Sequence, residues 1–532
     1  MIPASEITSY IRLLELQGKA TGTPLVYWAS STEPRPHGLT VDSTHLWSSH
    51  YQLAPRTDLP EQAQIRWLDP QATFVYNTAF PRNANDGALW AGRGLSSIVS
   101  GGAEIRWGHL TARLYPSVTY SQNASFPLGT GPGNANSPYA YPWEAGIDFP
   151  QRFGNKALAS IDPGQSEIRL DYGAFTVGFS TEALWWGPAF RNPIIMSDAA
   201  PGFPHLDLGT GRPIHTRVGD LEIRIISGEL TRSNYFGPDS ISGRRILNGL
   251  TIGYRPSFLP GLTLGLTRVL YHEWPKSGVN LSDFTDAFSQ IFNNGHINAA
   301  GIRVNDSSDQ LASLTARWVL PESGAEFYIE YARGDFAGSL RDLLIEPDHS
   351  RAYTIGFQKT LPASTGAYVL RVESTTLGQT QTVLLRSGGI GLAGLGGGGI
   401  YTHEIVTEGY TNDGQLLGAP IGPGSNSQYL GLDRYTTRGR YGIFLERVRY
   451  DDDYAWGLLN TPGAFEQQET DITLGLNMFR FAQGFNWGVA LEMTDQLSHD
   501  FIAWNDIPNF KLTFTFTRSS EKKTTAGSTP SP

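Results

Sequence analysis

From about Ile65 to Phe516 the chain alternates hydrophobic and polar residues with a period of two. That period is the signature of strands with one apolar face. Leu110, Ala112 and Leu114 are interleaved with Thr111 and Arg113, and Ile168, Leu170 and Tyr172 pass through Gly173-Ala174 into Phe175, Val177 and Phe179. Leu250, Ile252 and Tyr254 lead through a proline-containing turn to Leu262, Leu264 and Leu266. Leu314, Ala316, Trp318 and Leu320 turn at Pro321-Glu322-Ser323-Gly324 into Phe327, Ile329 and Tyr331. Tyr353, Ile355 and Phe357 turn at Pro362–Gly366 into Tyr368, Leu370 and Val372. Ile472, Leu474, Leu476 and Met478 precede Trp487, Val489, Leu491 and Met493, and Phe510, Leu512, Phe514 and Phe516 close the pattern.

Alternation alone suits a soluble sandwich as well as a membrane barrel. The connections discriminate better. Many hairpins close within a few residues, while other joints are long: Ser121–Ser160, Gly187–Thr216, Pro275–Ser308 and Asp451–Gln468. Tight turns at one rim and long loops at the other is the outer-membrane pattern. Loops beyond about 12–15 residues are otherwise uncommon and usually functional. The reading is all-β, a large antiparallel transmembrane barrel over residues 61–518, with a soluble all-β protein as the competing architecture.

Ahead of the strands the period changes. Ile7, Tyr10, Ile11 and Leu14 fall on one helical face within Ser5–Leu16, and Gly18 is a stop signal. The stretch onward to about Pro60 is rich in Pro, Ser, Thr and His and reads as irregular structure, so residues 1–60 form a separate head. Residues 519–532 form a polar tail. Met1-Ile2-Pro3 lacks the basic and apolar regions of a secretory signal. An exported chain is then expected to be numbered from its mature start, or to have a start codon upstream; the remaining option is a protein that is not exported.

Composition narrows the picture further. A chain of 532 residues is several times the usual domain size, and a closed sheet is the main way to use that length as one unit. Gly 60, Tyr 23, Phe 26 and Trp 13 favour strands and turns. Cysteine is absent, so there are neither disulfides nor thiolate metal sites. A formal net charge of −10 argues against nucleic acid as a partner. No apolar run reaches the 18 or so residues of a membrane helix, which leaves barrels open.

Motifs for catalysis or cofactors fail their context. Gly389-Ile390-Gly391-Leu392-Ala393-Gly394 matches the dinucleotide pattern, but Gly396–Gly399 follow where a helix is required. His403-Glu404 and His272-Glu273 lack the second histidine of a zinc-protease helix. Asp451-Asp452-Asp453 is a calcium-like run that reads as a solvated loop. With 50 acidic residues, no particular carboxylate pair stands out for glycoside hydrolysis. The expectation is a protein that is not an enzyme and uses no cofactor or metal.

What remains is a set of dense loop segments. They are Trp90-Ala91-Gly92-Arg93-Gly94, Trp185-Trp186-Gly187-Pro188 running through Arg191 to His205, Glu346-Pro347-Asp348-His349-Ser350-Arg351, and Ile421–Ser427. Tryptophan faces stack on pyranose rings, and a guanidinium forks onto acidic groups. Trp90, Arg93, Trp185, Trp186, Arg191, His205, Arg212, Asp348 and His349 are therefore candidate glycan contacts. The competing reading for the Trp185-Trp186 pair is a membrane girdle or core. For Arg93, Arg191 and Arg212 it is a luminal ladder with residues such as Glu182 or Glu330.

Taken in order, five stretches resemble the Wzi family of capsule assembly proteins: Asp86–Gly94, Trp185–Leu206 with Arg212-Pro213, Asn305–Glu330, Glu346–Gly356 and Gly409–Asp433. The resemblance implies an outer-membrane barrel of about 18 strands with a small helical element at its periplasmic end, where Ile7–Leu14 would pack against the rim. It also implies a lectin-like, non-catalytic role: binding and organising or anchoring capsular or extracellular polysaccharide, with outer-membrane lipid around the barrel. A diffusion channel or transporter and a soluble all-β carbohydrate-active enzyme are the alternatives. The long loops and N-terminal helix argue for a plugged lumen.

Overall fold

The computed structural model describes residues 5–23, 27–29, 39–51, 53, 59–130, 137–140, 146–236, 243–275, 278, 280, 308–334, 340–380, 399–403, 405–458 and 464–518. The glycine-rich 389–394 motif, Glu404 and the 519–532 tail lie outside these residues. Eighteen antiparallel strands form one closed barrel. Its first half is β1 (Gln64–Asn77), β2 (Gly94–Trp107), β3 (Leu110–Leu114 with Ser117–Ser121), β4 (Leu158–Asp162 with Glu167–Tyr172), β5 (Phe175–Ser180), β6 (His205–Thr210 with Ile214–Thr216), β7 (Gly219–Thr231), β8 (Arg244–Pro256) and β9 (Leu262–Glu273). The second half is β10 (Ser308–Leu320), β11 (Ala325–Gly334), β12 (Arg351–Pro362), β13 (Ala367–Thr376), β14 (Asn426–Thr436), β15 (Gly439–Arg449), β16 (Thr470–Ala482), β17 (Phe485–Leu497) and β18 (Ile507–Arg518).

Closure is made by β18 against β1, with Leu512 opposite Tyr76 and Phe514 opposite Phe74. No edge is left for a sandwich. Burial is also inverted relative to a soluble protein. Leu264, Ile329, Leu430 and Leu432 point outward and are exposed, while Glu326, Arg371, Glu373 and Asp433 point inward and are buried. An apolar exterior around a polar interior is what lipid demands of a barrel. Exposed Trp67, Trp107, Tyr172 and Phe175 mark one girdle at strand ends, and Tyr76, Tyr120, Phe179 and Phe510 mark the other.

The connections alternate as expected. Short ones (108–109, 173–174, 217–218, 257–261, 321–324, 363–366, 437–438, 483–484) lie at one rim, and long ones such as 122–157, 181–204, 377–425 and 450–469 lie at the other. One expected joint is corrected. The stretch 187–216 is not all loop, because β6 occupies its second half, with His205 and Asp207 inward and Leu206 and Leu208 outward. The preceding Pro201-Gly202-Phe203-Pro204 hides the start of that short alternation.

The helix α1 (Glu6–Leu16) begins one residue later than expected, because Ser5 is its N-cap and accepts from the Thr8 N–H at 3.3 Å. It ends in a Schellman arrangement. The Gly18 N–H donates to the Glu15 carbonyl at 2.9 Å and the Lys19 N–H to Leu14 at 2.7 Å, with Gly18 at φ +67°. The helix lies inside the short-turn end of the barrel rather than against its outside. Tyr10, Ile11 and Leu14 pack with Leu39, Trp47 and the inward Val369, Tyr435 and Phe479.

Candidate functional site

The long-loop end of the lumen is filled by the chain itself. Connection 181–204 descends between the strands and joins residues 400–421 in an apolar core that includes Trp186, Ile194, Ile195, Tyr401, Tyr410 and Leu417. Backbone that enters a lumen needs partners for its N–H groups. Inward carboxylates from the wall supply them. Glu373 accepts from the N–H groups of Phe190 (2.6 Å), Arg191 (3.1 Å) and Asn192 (2.9 Å), and from the Tyr328 hydroxyl at 2.6 Å. Glu330 accepts from the Ile194 N–H at 2.9 Å. Close approach also needs small wall residues: a Cβ on Gly249 would sit 2.6 Å from the Trp186 ring.

A charge network holds two loops against the wall. Arg82, from connection 78–93, meets Glu446 at 3.2 Å and Glu492 at 3.1 Å and also contacts Asp471. Burial would lower the Arg82 pKa, but Asp471, Glu492 and Glu446 outweigh it and raise it. Arg191 forks onto Glu446 with two 2.7 Å hydrogen bonds and lies 4.7 Å over the Tyr429 ring. In the plug, Asp198 is pushed well above the carboxylate range by burial and then by Asp86.

The helical and plug elements touch. Arg12 of α1 donates to the Pro188 carbonyl at 2.7 Å and also pairs with Glu326 of the wall. Arg317 links Glu15 (2.8 Å) and Glu326 (2.7 Å). The lumen is thus occupied from both ends.

The sequence-predicted residues separate into three places. Trp185, Trp186 and His205 are buried and Arg191 is mostly covered in the plug and its wall. Trp90 and Arg93 lie together at the long-loop rim: Trp90 packs on Phe153 with ring centroids 4.7 Å apart, and Arg93 donates to the Thr78 carbonyl at 3.0 Å. Asp348 and His349 are partly exposed on connection 335–350, His349 lying 3.8 Å from Glu346. Arg212 is exposed between the two halves of β6, towards the short-turn rim. The competing ladder reading fits Arg191, which pairs with Glu446, but not Arg93, which donates to the Thr78 and Ser125 carbonyls, or the exposed Arg212; Glu182 pairs instead with Arg113 at 3.0 Å.

The expected solvated loop at 451–453 is corrected. Asp451 and Asp453 are buried, Asp451 accepting from the Tyr454 N–H at 3.0 Å and Asp453 from the Gln379 N–H at 2.9 Å. They staple a short helix, Asp452–Leu458, to the neighbouring connection. Burial pushes the Asp453 carboxyl up to about 7. Sequence reading missed Arg12, Arg82 and Glu373. For Glu373 the available signal was charge at an inward strand position, Arg371 and Glu373 alternating with outward Leu370 and Val372; Arg12 on a helix and Arg82 on a loop carry no such period.

Residues 81–494 match the family model of the capsule assembly protein Wzi. The chain belongs to the Wzi family. The solved structure of Wzi from Escherichia coli, described as a carbohydrate-binding β-barrel and outer-membrane protein involved in group 1 capsule assembly, aligns with a TM-score of 0.59. The match has 12% identity and covers 95% of this chain and 97% of that one. Two other barrels align less well. OprD of Pseudomonas aeruginosa has 7% identity, coverage of 88% and 97%, and a TM-score of 0.42. OccAB2 of Acinetobacter baumannii has 11% identity, coverage of 87% and 99%, and a TM-score of 0.42. No curated protein matches by sequence. The Wzi match takes in the plug, the Arg82 network and most of the strands, and leaves α1, β1 and β18 outside its span.

Proposed function

We propose that this Wzi-family barrel sits in the bacterial outer membrane, binds capsular or extracellular polysaccharide at the cell surface, and organises or anchors it without catalysis. The observation that carries this reading is the filled lumen of a family member: α1 and connection 181–204 meet through Arg12 and Pro188. A barrel closed in this way offers a ligand its long-loop surface and lipid its apolar wall, and not a path for solutes. A channel and a soluble enzyme fit that arrangement poorly.

Of the nine candidate residues, Trp90, Arg93, Asp348 and His349 are proposed as glycan contacts, because they stand at the long-loop rim. Trp185, Trp186, Arg191 and His205 are proposed to shape the plug beneath, and Arg212 to have no part in the surface site. The test is cell-bound against released capsule in the host strain lacking this protein, with and without complementation. Loss of the protein should move capsule into the medium, and a Trp90→Ala, Arg93→Ala double variant should complement weakly. An unchanged cell-bound fraction in the deletion strain would sink the proposal.

A further inference from the structure

We propose that Glu469, His499 and Asp500 form a binding site for a divalent transition cation of the zinc class at the long-loop rim. Among the described residues, these three place His, Glu and Asp ligand atoms within 4.8 Å of one another. Glu469 ends connection 450–469 immediately before β16, while His499 and Asp500 belong to connection 498–506 between β17 and β18. The site therefore joins two successive long-rim connections separated by the β16–β17 hairpin.

The decisive detail is outside the ligand set. Gln496 directs its side-chain nitrogen to two carboxylates, Asp471 at 3.0 Å and Glu469 at 3.3 Å. Carboxylates accept, so the nitrogen must face them and the Gln496 carbonyl oxygen must face His499. That oxygen lies 2.6 Å from His499 Nδ1. Nδ1 therefore carries the proton and donates it, which leaves Nε2 as the nitrogen with a lone pair. A metal-ligating histidine is held in the same way, its second nitrogen donating to an outer acceptor that fixes tautomer and ring orientation.

Nε2 then faces acceptors. It lies 3.4 Å from Asp500 Oδ2. A charge-assisted N–H···O bond to a carboxylate would be about 2.7–2.9 Å. Two ligand atoms on a tetrahedral zinc ion, each about 2.0–2.2 Å from the metal, stand roughly 3.4 Å apart. The 3.4 Å separation matches that of two ligand atoms on one ion. Arg82, which reaches the neighbouring Asp471, is committed to Asp471, Glu446 and Glu492. An imidazole with two carboxylates selects zinc, nickel or cobalt over calcium or magnesium. This inference is independent of the polysaccharide reading.

The experiment titrates Zn²⁺ into the detergent-purified full chain, without a polyhistidine tag, by calorimetry, and uses Co²⁺ absorption as a spectroscopic probe. One equivalent should bind tightly and give a tetrahedral or five-coordinate cobalt spectrum, unaffected by millimolar Mg²⁺. His499→Gln and Asp500→Asn should each weaken binding at least tenfold, and Gln496→Leu by about 10–100-fold. Heat-modifiable migration of each variant in electrophoresis checks that the barrel is intact. Absence of binding in the wild type, or equal affinity in an intact His499→Gln variant, overturns the proposal.

Discussion

Glu373→Ala tests whether wall carboxylates hold the plug in place. The wild-type side chain satisfies three consecutive backbone N–H groups, at Phe190, Arg191 and Asn192, and the Tyr328 hydroxyl. Each donor left buried without an acceptor costs about 1–3 kcal/mol. Removing the carboxylate recovers several kcal/mol of its own burial cost, and water entering the vacated space repairs part of the rest. The net is roughly 3 kcal/mol against the docked plug, or about a hundredfold in local opening. Hydrogen exchange reads this directly, because the three amides should exchange about a hundredfold faster. Amides of the β9–β10 ladder, such as that of Thr267, should be unchanged. Glu373→Gln keeps the shape but offers one acceptor oxygen instead of two, and should fall between. Exchange at 190–192 within threefold of wild type in Glu373→Ala would refute the anchoring role.

Arg82→Ala leaves Glu446, Asp471 and Glu492 without their shared cation; the expected loss is about 3–5 kcal/mol, read as a lower denaturant midpoint, with Arg82→Lys recovering part of it. Unchanged midpoints would show that the network is solvated. Gly249→Ala forces a Cβ to within 2.6 Å of Trp186 and 2.8 Å of Ile226; overpacking of about 1–3 kcal/mol should speed protease cleavage within 181–204. Asp453, raised to about 7 by burial in a loop outside the strands, gives a pH dependence of defined sign. A carboxyl with a raised folded pKa stabilises most below its unfolded value near 4, and that contribution is lost as pH rises through about 7. Cleavage within 450–469 should therefore be slower at pH 5.5 than at pH 8.5, and Asp453→Asn should flatten the difference. Planar bilayers containing the wild type should show no steady conductance.

The strands were legible because the barrel wall follows one rule, apolar residues at outward positions. Phe327, Ile329 and Tyr331 announce their face without knowledge of any other strand. The plug was not legible, because its residues obey no period. Trp185 and Trp186 look the same in sequence whether they face a sugar, a lipid or the lumen, and their burial depends on β8 offering Gly249. Arg191 is a candidate glycan contact in the sequence, with a luminal ladder as the competing reading, and it pairs with the inward Glu446. Its partner Glu446 lies too far along the chain to be chosen from sequence in preference to Glu182 or Glu330. Asp451-Asp452-Asp453 failed for the opposite reason: three adjacent charges suggest solvent, yet two of them cap backbone N–H groups inside a packed loop.

The inward charges of the barrel do two kinds of work, and the wall explains which. Where strand side chains face one another, Arg and carboxylates pair across the sheet, as Arg169 of β4 does with Asp207 of β6 at 3.0 Å. Where backbone intrudes, the carboxylates turn to its N–H groups instead, as Glu330 and Glu373 do. Arg12 stands at the boundary, pairing with Glu326 of the wall while donating to the Pro188 carbonyl of the plug. A change that moves α1 must therefore either break that bond or carry the 187–192 turn with it. Arg12→Ala should raise exchange at 190–192 even though Glu373 is intact. If it does not, the two ends of the lumen are filled independently.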